Sequence, residues 1–137
     1  MIDDILTNNL AQLAEMAHAI KLGKNSVIIK EGAKDSLSMY IILQGEVRVV
    51  KNYGQFDQQV MARLSVGDFF GEMSLFLGNP RAATVITSAD TVLLEINESN
   101  VYEIIETNPK LLFGMFKGLC KRIDFLNDKV QPQYRRN

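Results

Sequence analysis

The residues best equipped for chemistry lie in one run, Gly67-Asp68-Phe69-Phe70-Gly71-Glu72-Met73-Ser74-Leu75-Phe76-Leu77-Gly78-Asn79-Pro80-Arg81-Ala82-Ala83-Thr84-Val85. Gly71 follows a strand-like segment and opens a helix of about one or two turns, so the unpaired N–H groups at the helix start form a seat for an anion. Gly78-Asn79-Pro80 reverses the chain and returns Arg81 to that helix end, where its planar fork suits a phosphate held by two hydrogen bonds. Ala82 and Ala83 are small enough to leave their own N–H groups accessible to the same anion. Beside a phosphate the carboxylate of Glu72 is repulsive and needs another partner. A ribose hydroxyl is chemically apt, as it is for the acidic residues of dinucleotide sites. Phosphate and ribose together mean a nucleotide, and a ligand that touches both Arg81 and Glu72 has to be compact, as a cyclic phosphate ester is.

Taken singly, each of these residues has a plainer reading. Arg81 alone is a solvated arginine beside a turn. Glu72 alone is a favourable charge in the first turn of a helix, or the partner of Arg81 in a structural ion pair. Gly71 and Gly78 are ordinary turn glycines and Thr84 an ordinary strand residue. Only the ordered set is specific.

The elements that must position this set are mostly strands. From Ile5 to Ala17 apolar residues recur at helical spacing, which predicts an opening helix over about residues 3–18. Strand-like runs follow at Ser26–Ile29, Ser38–Leu43, Val47–Val50, Val60–Leu64, Ala83–Ile86 and Val92–Ile96, punctuated by turns at Gly32, Gly45, Gly54 and Gly67. Alternation in Val60, Ala62 and Leu64, and in Val92, Leu94 and Ile96, predicts that these residues face a barrel interior. Helical patterns then cover Glu98–Thr107 and a longer segment from Pro109, with Asn108 as its cap and Pro132 as its stop. Along the latter, Leu112, Met115, Leu119, Ile123, Leu126 and Val130 form an apolar stripe with Phe116 and Phe125 beside it. The group Phe116, Leu119, Ile123 and Phe125 reads first as core-facing, and Gln131–Asn137 as a frayed terminus. The fold class expected is mainly β with flanking helices, a jelly-roll β-barrel with a short phosphate-cassette helix and C-terminal helices. One domain over residues 1–137 is the simplest organisation, with the barrel at about 19–97 and the C-terminal helices at about 98–130.

The run resembles the phosphate-binding cassette of cyclic nucleotide-binding domains, the family found in protein kinase A regulatory subunits, bacterial catabolite activator proteins and nucleotide-gated channels. Phe70-Gly71-Glu72, an apolar residue, a small residue and Leu75, then Pro80-Arg81-Ala82-Ala83-Thr84-Val85, carry the resemblance. Ile28 to Gly32 and Met39 to Val47 are similar to the family's early strands, so residues 8–127 match in order. The resemblance implies a non-enzymatic sensor. In it Arg81 holds the cyclic phosphate, Glu72 takes the ribose 2′-hydroxyl, and N–H groups at Ser74, Ala82 and Ala83 complete a cradle that includes Gly71, Met73 and Thr84. It also implies that the last helix closes over the base, with Ala62, Leu64, Arg122 and Phe125 as lining. Ala82, where members that favour cyclic GMP often carry threonine, points to cyclic AMP. Met73 and Ser74 replace the more usual aliphatic residue and alanine, and Lys24-Asn25-Ser26 replaces a glycine-acid turn.

Composition restricts the alternatives. With 47% apolar residues the chain of 137 can bury a core, and its 15 basic and 16 acidic side chains nearly cancel, so bulk charge favours neither nucleic acid nor membrane. One cysteine, Cys120, rules out an internal disulfide and fits a reducing compartment. No signal-peptide pattern follows Met1, and no run approaches the roughly 18 apolar residues of a membrane span, so a cytoplasmic location is expected. A cupin-type metal enzyme or a haem sensor needs several ligands, and His18 is the only histidine. After Asn127 too few residues remain for a helix-turn-helix, so no nucleic-acid partner is expected. No cofactor is expected either. The partners are a cyclic nucleotide, an unknown protein effector and, through the C-terminal helix stripe, a second copy of the chain. A degenerate domain that only binds other proteins is the main competing reading.

Overall fold

A computed structural model describes residues 18–34 and 36–130. Among the described residues eight strands form two four-stranded antiparallel sheets. They are β1 His18–Leu22, β2 Val27–Ile29, β3 Met39–Gln44, β4 Glu46–Lys51, β5 Gln59–Ser65, β6 Phe69–Phe70, β7 Thr84–Thr87 and β8 Thr91–Ile96. One sheet runs β1-β8-β3-β6 and the other β2-β7-β4-β5. Three helices complete the described chain: α1 Glu72–Leu77, α2 Val101–Thr107 and α3 Pro109–Val130.

Two apolar clusters explain the sequence pattern. Between the sheets lie Ile29, Tyr40, Ile42, Val47, Phe70, Val85 and Leu93. On the other face of the first sheet, Met39, Ile41, Phe69, Leu94 and Ile96 pack with Val101 and Ile104 of α2 and with Leu111 and Met115 of α3. The sheet β1-β8-β3-β6 is therefore covered on both faces. That is why β3 reads as a near-continuous apolar run, Met-Tyr-Ile-Ile-Leu, where a half-exposed strand would alternate.

The same double cover corrects one expectation. Leu93 faces the space between the sheets, while Leu94 and Ile96 face the helices. The predicted inward set of Val92, Leu94 and Ile96 is inverted because alternation marks an interior only where the other face meets water. One strand was not foreseen, β1, which begins at His18 where the opening helix was expected to finish; the strand-like segment read before Gly71 is β6, only two residues long. Residues 3–17 of the opening helix, Pro132 and the Gln131–Asn137 tail lie outside the described residues.

The long helix also differs from the expected stripe. Leu111 and Met115 are buried and Leu119 is partly so, whereas Phe113, Phe116, Ile123, Phe125 and Leu126 are more than half exposed, at 55–64%. Of the group read as core-facing, only Leu119 packs against the core. No helix among the described residues is long and apolar enough to cross a membrane.

Candidate functional site

The short helix α1 is where local sequence and tertiary packing meet. Gly71 precedes it with φ 85°, a left-handed conformation that side chains resist, and Gly78 ends it with φ 70° while its N–H donates to the Ser74 carbonyl. Gly71 is also sterically required. A Cβ there would stand 2.8 Å from Nη1 of Arg81 and 3.0 Å from the Ser38 carbonyl oxygen. Nothing crowds a Cβ at Gly78, so Gly78→Ala isolates the conformational cost alone. It is expected to lower stability by about 1 kcal/mol in urea denaturation, with the slope unchanged.

Arg81 is returned to α1 as its position in the sequence predicts, but it is buried, with 4% of its surface exposed. Its Nη1 donates to the Gly71 carbonyl at 3.2 Å, and Nη2 donates to the Ser38 carbonyl at 2.6 Å and to Ser36 Oγ at 3.1 Å. Nε is buried with no hydrogen-bond partner. No carboxylate among the described residues pairs with this guanidinium. Burial holds its pKa below the ordinary arginine value, an effect that Tyr40 opposes. A buried cation with no counter-charge among the described residues is costly and leaves the pocket suited to an anion.

Glu72 does not pair with Arg81. Its Oε1 accepts a hydrogen bond from Arg122 Nη1 of α3 at 2.8 Å, with the carboxylate side chain 15% exposed. Arg122 Nη2 also donates to the Phe69 carbonyl at 2.5 Å, and its guanidinium carbon stands 4.3 Å from the centre of the Phe69 ring. One arginine thus ties α3 to both the start of α1 and β6.

These groups surround a cavity of about 720 Å³, within the range of small-molecule sites. Its lining includes Ala62, Leu64, Gly71, Glu72, Met73, Ser74, Arg81, Ala82, Ala83, Arg122 and Phe125, so those sequence-derived candidates meet at one place. Thr84 does not line it. Its hydroxyl accepts the Glu31 N–H at 3.0 Å and fastens β7 to the end of β2. Ser74 lines the cavity but is 2% exposed; its N–H is turned to the Gly71 carbonyl at 3.2 Å and its hydroxyl to the Asn79 carbonyl at 2.9 Å. The N–H groups of Ala82 and Ala83 make no hydrogen bond among the described residues.

The sequence reading missed Ile29, Val49, Phe69, Val85, Lys121 and Leu126 in the lining. Ile29 and Val85 pair in register across β2 and β7, a juxtaposition with no sequence-local trace. Lys121 and Leu126 flank Arg122 and Phe125 on α3 and were one step from those already chosen. Among the described residues no group of three or more His, Cys, Asp and Glu side chains is placed to hold a metal.

Known proteins resemble this chain in family and fold. The family described as "Cyclic nucleotide-binding domain" matches residues 19–108. The cAMP-activated global transcriptional regulator CRP of Salmonella typhimurium is 28% identical over 114 residues, which cover 82% of this chain and 54% of that protein. The chain therefore spans about half the length of that relative. The catabolite activator protein of Thermus thermophilus shares the fold with a TM-score of 0.76 at 20% identity, over 92% of this chain and 59% of its own. The regulator CLP of Xanthomonas campestris, described as c-di-GMP responsive, shares it with a TM-score of 0.70 at 18% identity, over 91% of this chain and 65% of its own. The transcriptional role in the Salmonella relative's name belongs to a protein nearly twice the matched length. The expectation that this chain has no nucleic-acid partner finds no support there.

Proposed function

Because the chain belongs to the cyclic nucleotide-binding domain family, we propose that it is a cyclic AMP sensor whose phosphate seat is Arg81 with the Ala82 and Ala83 N–H groups and whose ribose acceptor is Glu72. The observation that carries this reading is Arg81: a buried guanidinium with an unpartnered Nε and no carboxylate partner among the described residues. A phosphate supplies the missing charge and acceptor in one group. Gly71, Met73 and Ser74 form the wall beside it, and Thr84 acts by fixing β7. Ala62, Leu64, Phe125 and the stem of Arg122 offer apolar surface to the base.

The choice of cyclic AMP rests on Ala82 and on the name of the Salmonella relative. Because a fold neighbour is described as responding to c-di-GMP, the deciding experiment is calorimetry of folded, ligand-stripped protein with cyclic AMP, cyclic GMP and c-di-GMP in parallel. Saturable binding with cyclic AMP tightest is the expected result. Tighter binding of either other nucleotide overturns the base assignment, and no binding to any overturns the sensor reading. A protein-binding domain without ligand is then favoured, because Arg81 Nη groups and Glu72 already have protein partners.

The signal leaves through α3. Arg122 holds that helix to Glu72 and Phe69, so a ligand that competes for Glu72 or displaces the cassette acts on the helix directly. To move such an equilibrium from 1:99 to 99:1 the nucleotide has to bind one arrangement about 5.5 kcal/mol more tightly. The receiving surface is the exposed seam Phe113, Phe116, Cys120 and Ile123, spaced three and four residues apart, which suits a second copy of the helix. Sedimentation is expected to give a dimer, and Phe116→Glu to weaken it by roughly tenfold or more. A wild-type monomer at high concentration would end the dimer reading.

A further inference from the structure

Lys51 and Glu31 line no part of the cavity, yet they act on its wall. Lys51, the last residue of β4, donates from Nζ to the Ala82 carbonyl at 2.9 Å and pairs with Glu31 Oε2 at 3.1 Å. Glu31 Oε1 accepts the Asn52 N–H at 3.0 Å, and the Glu31 N–H donates to Thr84 Oγ1 at 3.0 Å. The Asn52 N–H first, and then the Lys51 ammonium, hold the Glu31 carboxyl below its ordinary pKa, so Glu31 is a carboxylate at neutral pH.

The geometry of one peptide gives this network a consequence. The bond between Ala82 and Ala83 is trans, as all described bonds are. In a trans peptide the carbonyl and the following N–H point in opposite directions. The Ala82 carbonyl is drawn toward Lys51, which stands outside the cavity, while Ala82 and Ala83 both line it. The Ala83 N–H thereby points away from Lys51, and it has no protein acceptor among the described residues.

We propose that Lys51, braced by Glu31, is a positioning residue for anion binding: it fixes the Ala82–Ala83 peptide so that the Ala83 N–H is aimed at the ligand phosphate. The proposal rests on the phosphate-seat reading of Arg81, Ala82 and Ala83. It differs from simple charge attraction in the sign it assigns to Glu31. If Lys51 only attracted the anion through space, neutralising Glu31 would tighten binding. If Lys51 holds the peptide, loss of the Glu31 carboxylate frees the ammonium and weakens binding.

The test has two arms. In the ligand-free protein, the Ala82 carbonyl carbon and Ala83 amide resonances are expected to shift in Lys51→Met and in Glu31→Gln, and to stay near wild type in Lys51→Arg. In calorimetry with cyclic AMP, Lys51→Met and Glu31→Gln are each expected to bind roughly fivefold more weakly, with Lys51→Arg close to wild type. Unmoved resonances in the folded Lys51→Met protein overturn the clamp. Moved resonances with unchanged affinity, or tighter binding in Glu31→Gln, overturn the positioning role. Wild-type protein that binds no nucleotide overturns the sensor reading and the positioning role together, while the resonance arm still decides whether the clamp itself exists.

Discussion

Arg81→Met is expected to weaken cyclic AMP binding by about two orders of magnitude or more while leaving the ligand-free protein about as stable as wild type. The affinity loss follows from two charge-assisted hydrogen bonds of roughly 1.5–3 kcal/mol each, where every 1.4 kcal/mol is about tenfold. The stability expectation follows from what the guanidinium costs when no ligand is present. It is 4% exposed, its Nε is unpartnered, and no carboxylate among the described residues offsets its charge. Against that stand three hydrogen bonds. The Gly71 carbonyl keeps acceptances from the Ser74 and Leu75 N–H groups, at 3.2 and 3.4 Å, so its loss is small. The Ser38 carbonyl, 2.6 Å from Nη2, loses its shortest contact to this arginine, at a cost of about 1–3 kcal/mol. Removing a buried charge that no carboxylate among the described residues offsets returns a similar or larger amount, and methionine refills the volume. Calorimetry and thermal denaturation on the same preparation read both quantities. Undiminished binding refutes the phosphate assignment, and collapse of the ligand-free fold makes Arg81 a structural residue. Arg81→Lys serves as the intermediate case, since it keeps the charge but not the fork.

What the sequence disclosed about this site follows from how local each feature is. Gly71, Glu72, Arg81, Ala82 and Ala83 fall within one short run whose turns are dictated by its own glycines and proline, so their meeting could be read directly. Arg122 is fifty residues from Glu72. Its pairing depends on where α3 crosses the first sheet, and no local pattern encodes that. The interior face of β8 was misassigned for a related reason: Leu94 and Ile96 are apolar because α2 and α3 cover them, and the cover was not visible when the strand was read alone. The ion pair of Glu72 with Arg81 that the sequence offered does not form, because Arg81 Nη1 is directed to the Gly71 carbonyl and Arg122 takes the carboxylate. Conversely, Ala62 and Leu64 were found by plain alternation, because β5 lies in the sheet whose outer face no described helix covers and Met61 and Arg63 between them are exposed.

The pairing of Glu72 with Arg122 sets up the second large effect. Among the described residues only Oε1 of the carboxylate is engaged. Oε2 has no hydrogen-bond partner among the described residues, so a ribose 2′-hydroxyl can donate to it while Arg122 stays in place. Glu72→Ala is expected to weaken cyclic AMP binding by roughly 10- to 100-fold, the worth of one hydrogen bond to a charged acceptor. Because the substitution also releases Arg122, affinity alone does not identify the ribose contact. The cycle formed with 2′-deoxy cyclic AMP does. Wild-type protein should lose about as much affinity for the deoxy analogue as Glu72→Ala loses for cyclic AMP, and Glu72→Ala should bind the two nucleotides nearly equally. A variant that still discriminates against the deoxy analogue as strongly as wild type places the 2′-hydroxyl elsewhere. The same variant separates binding from signalling. With the tie from α1 to α3 cut, Arg122 keeps among the described residues the Phe69 carbonyl and ring, so hydrogen exchange along α3 near Arg122 should already be faster without ligand and should change less when nucleotide is added. Glu72→Gln divides the two roles: its side-chain oxygen can still accept from a donor, but the charge that draws Arg122 is gone. It should therefore retain more of the ribose discrimination than of the restraint on α3. An outcome in the opposite order, with α3 restrained and discrimination lost, would mean that shape rather than charge holds the helix against the cassette.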